Sequence, residues 1–335
     1  MKVCMYKRQT ELGTFNRLGL FFNDSTIIDV NLLWKAHYEM KNYYNPGDKA
    51  YQVAPYTLSK LLKNNDQSIR FLKESLDLFK DLTKKGILHT LDKGYFSFDL
   101  KDDKAVTLGN SIDSINCYRD FYIHELHVKK GFEKRKEPVP EAWYEMPVYY
   151  KGPTTGFIGN DDIIPWPKYT KKLDYELELG CIIGKKGKNI SRDKAGDYIF
   201  GFTIFNDISA RDIQKKEMSV RLGPSKGKDF CSVVGPVIVT SDELGIEPNL
   251  KMRAYINDEL WSEGQSGDGH YSWAEMIEFA SKEEYLLPTD FLGSGTVGTG
   301  CGLELDKWIQ PGDLVKFEIE KLGTLKNIIG TPNKG

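Results

Sequence analysis

The sequence predicts a mainly β protein with some α-helix, made of a smaller α+β N-terminal domain and a larger β-rich C-terminal domain. Two domains are expected because 335 residues exceed the usual size of one hydrophobic core. The texture changes near Ser114, where lysine-rich helical stretches give way to alternating apolar and polar runs separated by glycine. We therefore place the domains at residues 1–113 and 114–335.

The N-terminal domain is predicted to support the rest of the chain. Short strands are expected within residues 18–30, and helices within residues 56–62 and 68–85. His37 and His89 have no carboxylate or histidine near them in the sequence, so we assign them surface or packing roles.

The C-terminal domain is predicted to be β-rich with a few helices. Its strand-like segments are residues 173–184, 198–205, 232–240, 252–257, 302–305 and 314–321. Turns are predicted at PGD (residues 311–313) and in the glycine-rich run GSGTVGTGCG from Gly293. This run lacks the GK[ST] ending of a phosphate-binding loop. The alternative to a turn is a set of backbone N–H groups that contact a substrate carboxylate.

Charge and hydropathy exclude several classes of partner. The 46 basic and 48 acidic residues leave a net charge of -2, so no overall field attracts the chain to nucleic acid or to an anionic membrane. No apolar run reaches the ~18 residues of a membrane span, and the N-terminus lacks the pattern of a signal peptide. We therefore expect a cytoplasmic protein that binds small molecules.

The five cysteines predict neither a disulfide framework nor a zinc knuckle, because they are far apart and form no CxxC pair. Buried, reduced thiols are expected, and we assign no cysteine a catalytic role. His270, in GDGHYSW, is assigned a structural role.

The segment LDYELELGCII is predicted to bring glutamates close together. In a strand, Asp174, Glu176 and Glu178 share one face, and the apolar residues between them share the other. Like charges at this spacing repel each other in a low-dielectric cleft unless a cation neutralises them. The alternative is an ordinary solvated polar face.

Two further segments add acidic and basic groups. Asp207 follows the apolar run FTIF, and an acid at a strand end belongs either to a site or to the cap of a turn or helix. In RDFYIHELHVKK, a helix would place Asp120, His124 and His127 on one face, and the alternative is an ordinary polar helix face. The histidines are three apart, so they do not match the HExxH zinc motif.

The chemistry of these groups predicts a hard divalent cation. Oxygen ligands favour Mg²⁺, Mn²⁺ or Ca²⁺ over Zn²⁺ or copper, which leaves the histidines free for proton transfer. His127 is the better candidate for the base, because it lies one helical turn beyond His124. The basic run HVKKGFEKRK from His127 is predicted to be a mobile loop, and the alternative is a lid that captures an acidic substrate.

From about residue 116 to residue 327 the chain resembles the fumarylacetoacetate hydrolase family. The motifs that carry the resemblance occur in the family's order: DFY with a histidine seven residues after its Asp, PVYYKG, DYELELG, NDISARDIQ, LGPSKGKDF, SGT, GLEL, and PGDLV with EIEKLGTLKN. The resemblance implies a mixed β-sandwich roll with a smaller N-terminal domain, commonly in a homodimer. It also implies a divalent-metal enzyme for small acidic keto acids.

The resemblance carries functional roles onto particular residues. The implied metal ligands are Asp120, Glu176, Glu178 and Asp207. The implied catalytic pair is His127, with Glu304 to orient it. The implied substrate-binding and charge-stabilising residues are Tyr122, Tyr150, Arg211, Gln214, Lys228 and Thr296.

Some positions depart from the family's pattern. In some lyase-like relatives a histidine and a glutamate three residues later share the work. By that pattern His124 would match the histidine and His127 would replace the glutamate, so the division of work between the two histidines stays open. Met218 stands where the hydrolase has a tyrosine, and Arg135 or Lys136 only approximates the family's loop arginine. The resemblance therefore implies the chemistry better than the substrate.

The implied reaction is hydrolysis of a carbon–carbon bond in a diketo acid, such as an acylpyruvate or a fumarylacetoacetate-like compound of aromatic amino acid catabolism. One alternative is a decarboxylase, isomerase or hydratase that acts on a 2-oxo or β-keto dicarboxylic acid. The non-enzymatic alternative is a Ca²⁺-binding structural module.

Overall fold

The N-terminal part of the chain is a small group of strands covered by helices. The structure, a computed structural model, describes residues 1–86 and 96–332, so His89 lies outside the described residues. The elements of this part are β1 (Lys2–Thr10), β2 (Gly13–Phe21), β3 (Thr26–Asp29), α1 (Val30–Met40), α2 (Pro46–Val53), α3 (Leu58–Asn64), α4 (Ser68–Lys84), β4 (Ser97–Asp99) and β5 (Val106–Leu108). The strands and helices predicted here are all present.

Helices α1 and α4 cover these strands with a shared apolar surface. α1 begins after Asp29, whose side chain accepts a hydrogen bond from the Leu32 N–H at 2.8 Å and so satisfies a free donor at the helix end. Trp34 of α1 stacks on Phe71 of α4, with ring centroids 5.6 Å apart. The same apolar cluster includes Phe205, so it extends into the C-terminal part of the chain.

Short strands joined by brief helices make up the C-terminal part. The elements before residue 220 are β6 (Tyr118–Phe121), α5 (Glu125–Arg135), α6 (Ala142–Glu145), β7 (Tyr149–Gly152), β8 (Phe157–Ile158), β9 (Leu173–Asp174), β10 (Leu177–Ile183), β11 (Gly187–Lys188), a 3-10 helix (Arg192–Tyr198), β12 (Ile199–Asp207), β13 (Ser209–Ala210) and α7 (Arg211–Ser219). The later elements are β14 (Ser232–Val234), β15 (Ile238–Thr240), α8 (Ser241–Leu244), β16 (Lys251–Ile256), β17 (Glu259–Gln265), α9 (Trp273–Ala280), β18 (Tyr285–Leu286), β19 (Phe291–Gly293), α10 (Gly302–Leu305), β20 (Leu314–Ile319) and β21 (Gly323–Ile328).

One large sheet spans both parts of the chain. Within the described residues it runs β4-β3-β2-β1-β15-β12-β10-β19-β6-β7, and β5, β8 and β14 pair beside this path. The two parts join at the antiparallel pair β1–β15, where Val3 lies opposite Ile238. The domain boundary at residue 113 stays a prediction, because the sheet continues across this junction.

A second sheet, β17-β16-β20-β21, packs against the large one. Met252, Ala254 and Ile256 are buried at every second position of β16, as expected for a strand with one face in the core. Phe317 of β20 contacts Tyr175, with ring centroids 5.9 Å apart. Two sheet layers around one apolar core, with helices added, confirm the predicted sheet-rich fold with some helix.

The predicted helix across Asp120, His124 and His127 is wrong. Residues up to Phe121 form β6, which pairs with β19 on one side and β7 on the other, and α5 begins only at Glu125. Pairing on both sides outweighs the helical spacing of the polar residues. The basic run after His127 is helical through Arg135, so the prediction of a mobile loop is also wrong there.

The predicted strand at residues 302–305 is helix α10. Asp174 accepts hydrogen bonds from the Gly302 N–H at 2.8 Å and the Leu303 N–H at 3.0 Å, and these are donors that the start of a helix leaves free. In the ranges that the structure describes, no helix is long and apolar enough to cross a membrane.

Replacing Asp29 with alanine is expected to lower the free energy of unfolding by about 3–5 kcal/mol, because Arg17 would stay largely buried without its carboxylate. Arg17 Nη2 now lies 3.0 Å from Asp29 Oδ1, and α1 would also lose its cap. Urea unfolding followed by circular dichroism measures the change. Asp24→Ala is the matched control, because Asp24 is fully exposed and its loss leaves the stability almost unchanged. Equal losses in the two variants would contradict the prediction.

Candidate metal centre and catalytic base

Three acidic side chains converge on neighbouring strands. Asp120 lies on β6, Glu178 on β10 and Asp207 at the end of β12. One carboxylate oxygen of each lies within 4.8 Å of the other two, and all three residues are buried. A Cβ at Gly293 of β19 would stand 2.3 Å from Asp120 Oδ1 and 3.1 Å from Glu178 Oε2. Glycine at this position therefore leaves room for the carboxylates to approach.

This acid cluster is an unfavourable place for three negative charges. Burial raises the pKa of Asp120 to about 6. Burial, and then the charges of Asp120 and Asp207, raise the pKa of Glu178 well above its ordinary value. Burial also raises the pKa of Asp207, although the Lys228 ammonium opposes this shift. The cluster therefore favours either bound protons or a bound cation.

The acid cluster fits a hard divalent cation. Asp120 Oδ1 and Asp207 Oδ1 are buried and have no hydrogen-bond partner within the described part of the chain. Carboxylate oxygens are the ligands that Mg²⁺, Mn²⁺ and Ca²⁺ prefer, and a divalent cation would supply both the missing charge and the missing contacts.

Glu176, the fourth predicted ligand, is held by basic side chains. Arg211 Nη2 donates a hydrogen bond to Glu176 Oε1 at 2.7 Å. Lys228 Nζ donates to Glu176 Oε2 and to Asp207 Oδ2. Burial opposes ionisation of Glu176, but Arg211 and Lys228 outweigh it and lower the pKa of this carboxyl. Glu176 is thus linked to the acid cluster through Lys228, and its role as a metal ligand stays a prediction.

The strand alternation behind these positions is confirmed. Leu177, Leu179 and Cys181 belong to the apolar core between the sheets. Glu176 and Glu178 belong to the polar site. One strand therefore supplies the core with one face and the site with the other.

A histidine and a glutamate from distant parts of the chain form a pair beside the acid cluster. His127, in the first turn of α5, has Nδ1 2.5 Å from Glu304 Oε1, and both side chains are buried. The Thr299 N–H donates to the other oxygen, Glu304 Oε2, at 2.8 Å. Burial opposes ionisation of Glu304, yet the hydrogen bond with His127 lowers the pKa of this carboxyl. An ionised Glu304 accepts a hydrogen bond from the Nδ1–H group, which leaves Nε2 as the free basic nitrogen.

Asp174 connects the acid cluster to the His127–Glu304 pair, and no role was predicted for it from the sequence. Its carboxylate caps α10, the helix that carries Glu304, and also accepts a hydrogen bond from Arg211 Nε at 2.8 Å. Arg211 in turn binds Glu176. The shared face with Glu176 and Glu178 was a signal that could have identified Asp174.

The other predicted substrate residues surround the same space. The Tyr122 ring lies edge-on to His127 with centroids 5.3 Å apart, and burial raises the pKa of Tyr122 to about 12. Gln214 Oε1 accepts a hydrogen bond from Arg211 Nη1 at 3.0 Å. Tyr150 lies opposite Asp120 across the β6–β7 pair. Their roles in binding a substrate stay predictions.

The glycine-rich run braces the acid cluster. The Gly295 N–H donates to Glu178 Oε2 at 2.9 Å, and the Thr296 hydroxyl lies 3.4 Å from Glu178 Oε1. Gly295 has a φ of +80°, which glycine adopts without strain. In this structure the run contacts a carboxylate of the protein itself.

Two other residues at the site were missed by the sequence analysis. Cys301 Sγ lies 3.9 Å from His127 Nδ1 and 3.6 Å from Glu304 Oε1. Its position three residues before Glu304 was the available signal. Asp229 accepts a hydrogen bond from the Tyr150 hydroxyl, and its place directly after Lys228 in the motif LGPSKGKDF was the available signal.

Buried carboxylates that fit a hard cation lie beside a histidine oriented by a glutamate, on a two-layer β fold. This combination is typical of metal-dependent enzymes. Residues 116–329 match the family described as fumarylacetoacetate (FAA) hydrolase, C-terminal, and the chain belongs to this family. The predicted family and fold are therefore confirmed.

Proteins similar to the chain in sequence or in fold include several kinds of enzyme. The oxaloacetate tautomerase YisK of Bacillus subtilis is 29% identical over 325 residues, which cover 94% of this chain and 97% of YisK. A 5-carboxymethyl-2-hydroxymuconate delta-isomerase from Mycobacterium smegmatis has the same fold with a TM-score of 0.65, 20% identity and full coverage of both chains. The maleylpyruvate hydrolase of Sphingobium sp. SYK-6, solved with manganese(II) and pyruvate, matches with a TM-score of 0.65 and 19% identity over 99% of this chain and all of that one.

Replacing Glu178 with glutamine is expected to raise the melting temperature of the metal-free protein at neutral pH, because it removes an acid whose ionisation is opposed in the folded state by burial and by the charges of Asp120 and Asp207. The same change removes the stabilisation by Mn²⁺. At a free Mn²⁺ concentration of 100 times the Kd, this stabilisation is about 2.7 kcal/mol. Thermal unfolding in EDTA and in Mn²⁺ measures both effects. Glu11→Gln, at an exposed turn, is the control and keeps the Mn²⁺ effect. A Glu178→Gln protein with the full Mn²⁺ shift would disprove the assignment.

His124 is expected to make the fold less stable as the pH falls below about 6.5. Burial, and then His127, lower the pKa of His124 to about 4, whereas the unfolded chain has the ordinary value of 6.5. Between these values the unfolded state binds the proton more tightly, so acid favours unfolding by roughly 2 kcal/mol from pH 7 to pH 5. Urea unfolding of the wild type and of His124→Gln at both pH values measures the part of the pH dependence that His124 contributes. Identical pH dependence in the two proteins would contradict it.

Proposed function

We propose that this protein is a divalent-metal-dependent hydrolase that cleaves a carbon–carbon bond in a small diketo acid, such as an acylpyruvate or a fumarylacetoacetate-like compound. The observation that carries the proposal is the His127–Glu304 pair beside three carboxylates that fit a hard cation. The homodimer that the resemblance implies and the cytoplasmic location expected from the sequence composition stay predictions.

The acid cluster supports the metal dependence of this reaction. Asp120, Glu178 and Asp207 would hold the ion, with Glu176 as the further predicted ligand. When bound, the cation supplies Lewis acidity toward a carbonyl oxygen of the keto acid. Lys228 pairs with two of the neighbouring acids, Glu176 and Asp207, and offsets part of their charge.

His127 is proposed to remove a proton from the attacking water. Glu304 holds Nδ1 at 2.5 Å, so the basic nitrogen is Nε2, and the Thr299 N–H fixes the glutamate from its other side. A positioned general base of this kind contributes about 10²–10⁴-fold to a rate. The water oxygen bonds to the acyl carbonyl carbon, and the bond from that carbon to the neighbouring methylene carbon breaks. Its electron pair forms an enolate, which takes up the proton held by His127 to give a keto acid. The acyl fragment leaves as a carboxylic acid.

Arg211, Gln214 and Lys228 are proposed to stabilise the negative charge that develops as this bond breaks. Arg211 is fixed by Asp174, Glu176 and Gln214, so it needs no rearrangement during the reaction. The amide nitrogen of Gln214 is the group left to donate to the substrate, because its oxygen accepts from Arg211. One preorganised donor of this kind can be worth about 2.7–4 kcal/mol.

The second candidate is tautomerisation or isomerisation of a 2-oxo dicarboxylic acid. The similarity to an oxaloacetate tautomerase along 94% of the chain favours it. The same base would move a proton between carbon and oxygen, and the same cations would stabilise the enolate, but no carbon–carbon bond would break. Decarboxylation of a β-keto acid uses the same enolate chemistry.

A turnover screen distinguishes these reactions. Acylpyruvates, fumarylpyruvate, fumarylacetoacetate and oxaloacetate are each incubated with the protein and Mg²⁺, Mn²⁺ or EDTA. Hydrolysis gives two carbon fragments, decarboxylation gives CO₂, and isomerisation conserves mass. We expect two fragments from a diketo acid, and no turnover in EDTA. Metal-dependent stability without any turnover would instead support the structural Ca²⁺ module.

Replacing His127 with alanine is expected to lower kcat on the cleaved substrate by about 10²–10⁴-fold, because the water loses its base. Steady-state kinetics with saturating Mn²⁺ measure the loss. His37→Ala serves as the control, since His37 lies on α1 in the N-terminal part. Near-normal turnover by His127→Ala on every cleaved substrate would remove His127 from the mechanism.

A further inference from the structure

The base side of the site contains a second convergence of metal-binding atoms. His127 Nδ1, Cys301 Sγ and one carboxylate oxygen of Glu304 all lie within 4.8 Å of one another. The sulfur stands 3.9 Å from Nδ1 and 3.6 Å from Oε1. Tetrahedral zinc, with Zn–S near ~2.3 Å and Zn–N near ~2.0 Å, places its ligand atoms roughly 3.3–3.5 Å apart. Two of the three edges are therefore near that size, and only the hydrogen-bonded Nδ1–Oε1 edge of 2.5 Å must lengthen.

We propose that His127, Cys301 and Glu304 form a binding site for a thiophilic divalent cation, represented by Zn²⁺, and that an ion bound there inhibits the enzyme. This soft-metal site is separate from the acid cluster of Asp120, Glu178 and Asp207. The inhibitory consequence rests on the proposed role of His127 as the base, whereas binding of the ion does not.

The donor atoms make the two sites select different ions. A thiolate, an imidazole and one carboxylate suit Zn²⁺, Co²⁺ or Cd²⁺. Three carboxylates suit Mg²⁺, Mn²⁺ or Ca²⁺. Ions that support turnover at the acid cluster therefore compete weakly for the soft-metal site.

The backbone already holds the three donors in place. The Thr299 N–H binds Glu304 Oε2, which leaves Oε1 directed toward His127 and Cys301. The backbone of Cys301 pairs with that of Glu176 in an isolated antiparallel bridge. Contacts of this kind orient metal ligands and raise the affinity of a site.

Metal binding takes away the nitrogen arrangement that the base needs. The Cys301 thiol loses its proton to solvent when the sulfur–metal bond forms. His127 Nδ1 binds the metal through its lone pair, so it carries no proton and no longer donates a hydrogen bond to Glu304. The neutral imidazole must then carry its proton on Nε2. An Nε2–H group donates rather than accepts, and it cannot take a proton from water. One proton is released for each ion bound.

Titration of the full-length protein with Co²⁺ in saturating Mg²⁺ tests the binding directly. Cobalt bonded to a thiolate gives a sulfur-to-metal charge-transfer absorption in the near ultraviolet. We expect this absorption in the wild type, its removal by Zn²⁺, and its loss in Cys301→Ser. Cys117→Ser is the matched control, because Cys117 is a half-buried thiol outside the site and its removal leaves the absorption unchanged. No absorption in the wild type, or an unchanged absorption in Cys301→Ser, overturns the proposal.

Inhibition by Zn²⁺ tests the consequence. With Mn²⁺ saturating the acid cluster, Zn²⁺ is expected to inhibit the wild type, and Cys301→Ser should need at least about tenfold more Zn²⁺. Equal inhibition of both proteins places Zn²⁺ at the acid cluster and overturns the proposal. If Cys301→Ser does not fold, Glu304→Gln keeps the thiol and must weaken the cobalt signal at limiting Co²⁺, and an unweakened signal also overturns it. A cobalt signal in a protein that turns over no keto acid supports the metal site and rejects the proposed function alone.

Discussion

The balance of buried charge at the acid cluster is the constraint on which the rest of the site depends. Asp120, Glu178 and Asp207 enter a region that excludes water, where repulsion between carboxylates is much stronger than in solution. Lys228 offsets part of this charge and leaves the cluster short of positive charge. Paired strands and the missing side chain of Gly293 hold the acids together despite the repulsion. The same repulsion makes the cluster selective for a compact, highly charged ion.

Asp174 couples this charge balance to the base. One carboxylate binds Arg211, which binds Glu176, and also caps the short helix that presents Glu304. A helix of four residues has little stability of its own, so its position depends on such contacts. The acid cluster and the His127–Glu304 pair are therefore one connected polar network, in which a change at either end affects the other.

The geometry of the His127–Glu304 pair supports two uses, orientation of the base and coordination of a metal ion. The short contact between His127 and Glu304 suits a hydrogen bond, and the nearby sulfur of Cys301 completes a triangle of donors that suits a soft metal. The hydrogen bond requires a proton on Nδ1, and the metal requires its absence. Orientation of the base and coordination of the ion thus exclude each other at the same nitrogen.

The sequence by itself determined the sheet-rich fold, the family, and the alternation that sends Leu177 and Leu179 into the core and Glu176 and Glu178 into the site. The family follows from the order of short motifs along the chain. The alternation follows from local geometry, because the period of a strand sets the faces of its own residues. Only the tertiary structure decided that Asp120 lies on a strand while His127 lies on a helix, and that Cys301 touches a histidine 174 positions away. Contacts over such distances depend on how paired strands and packed helices meet, and the spacing of residues along the chain does not specify that meeting.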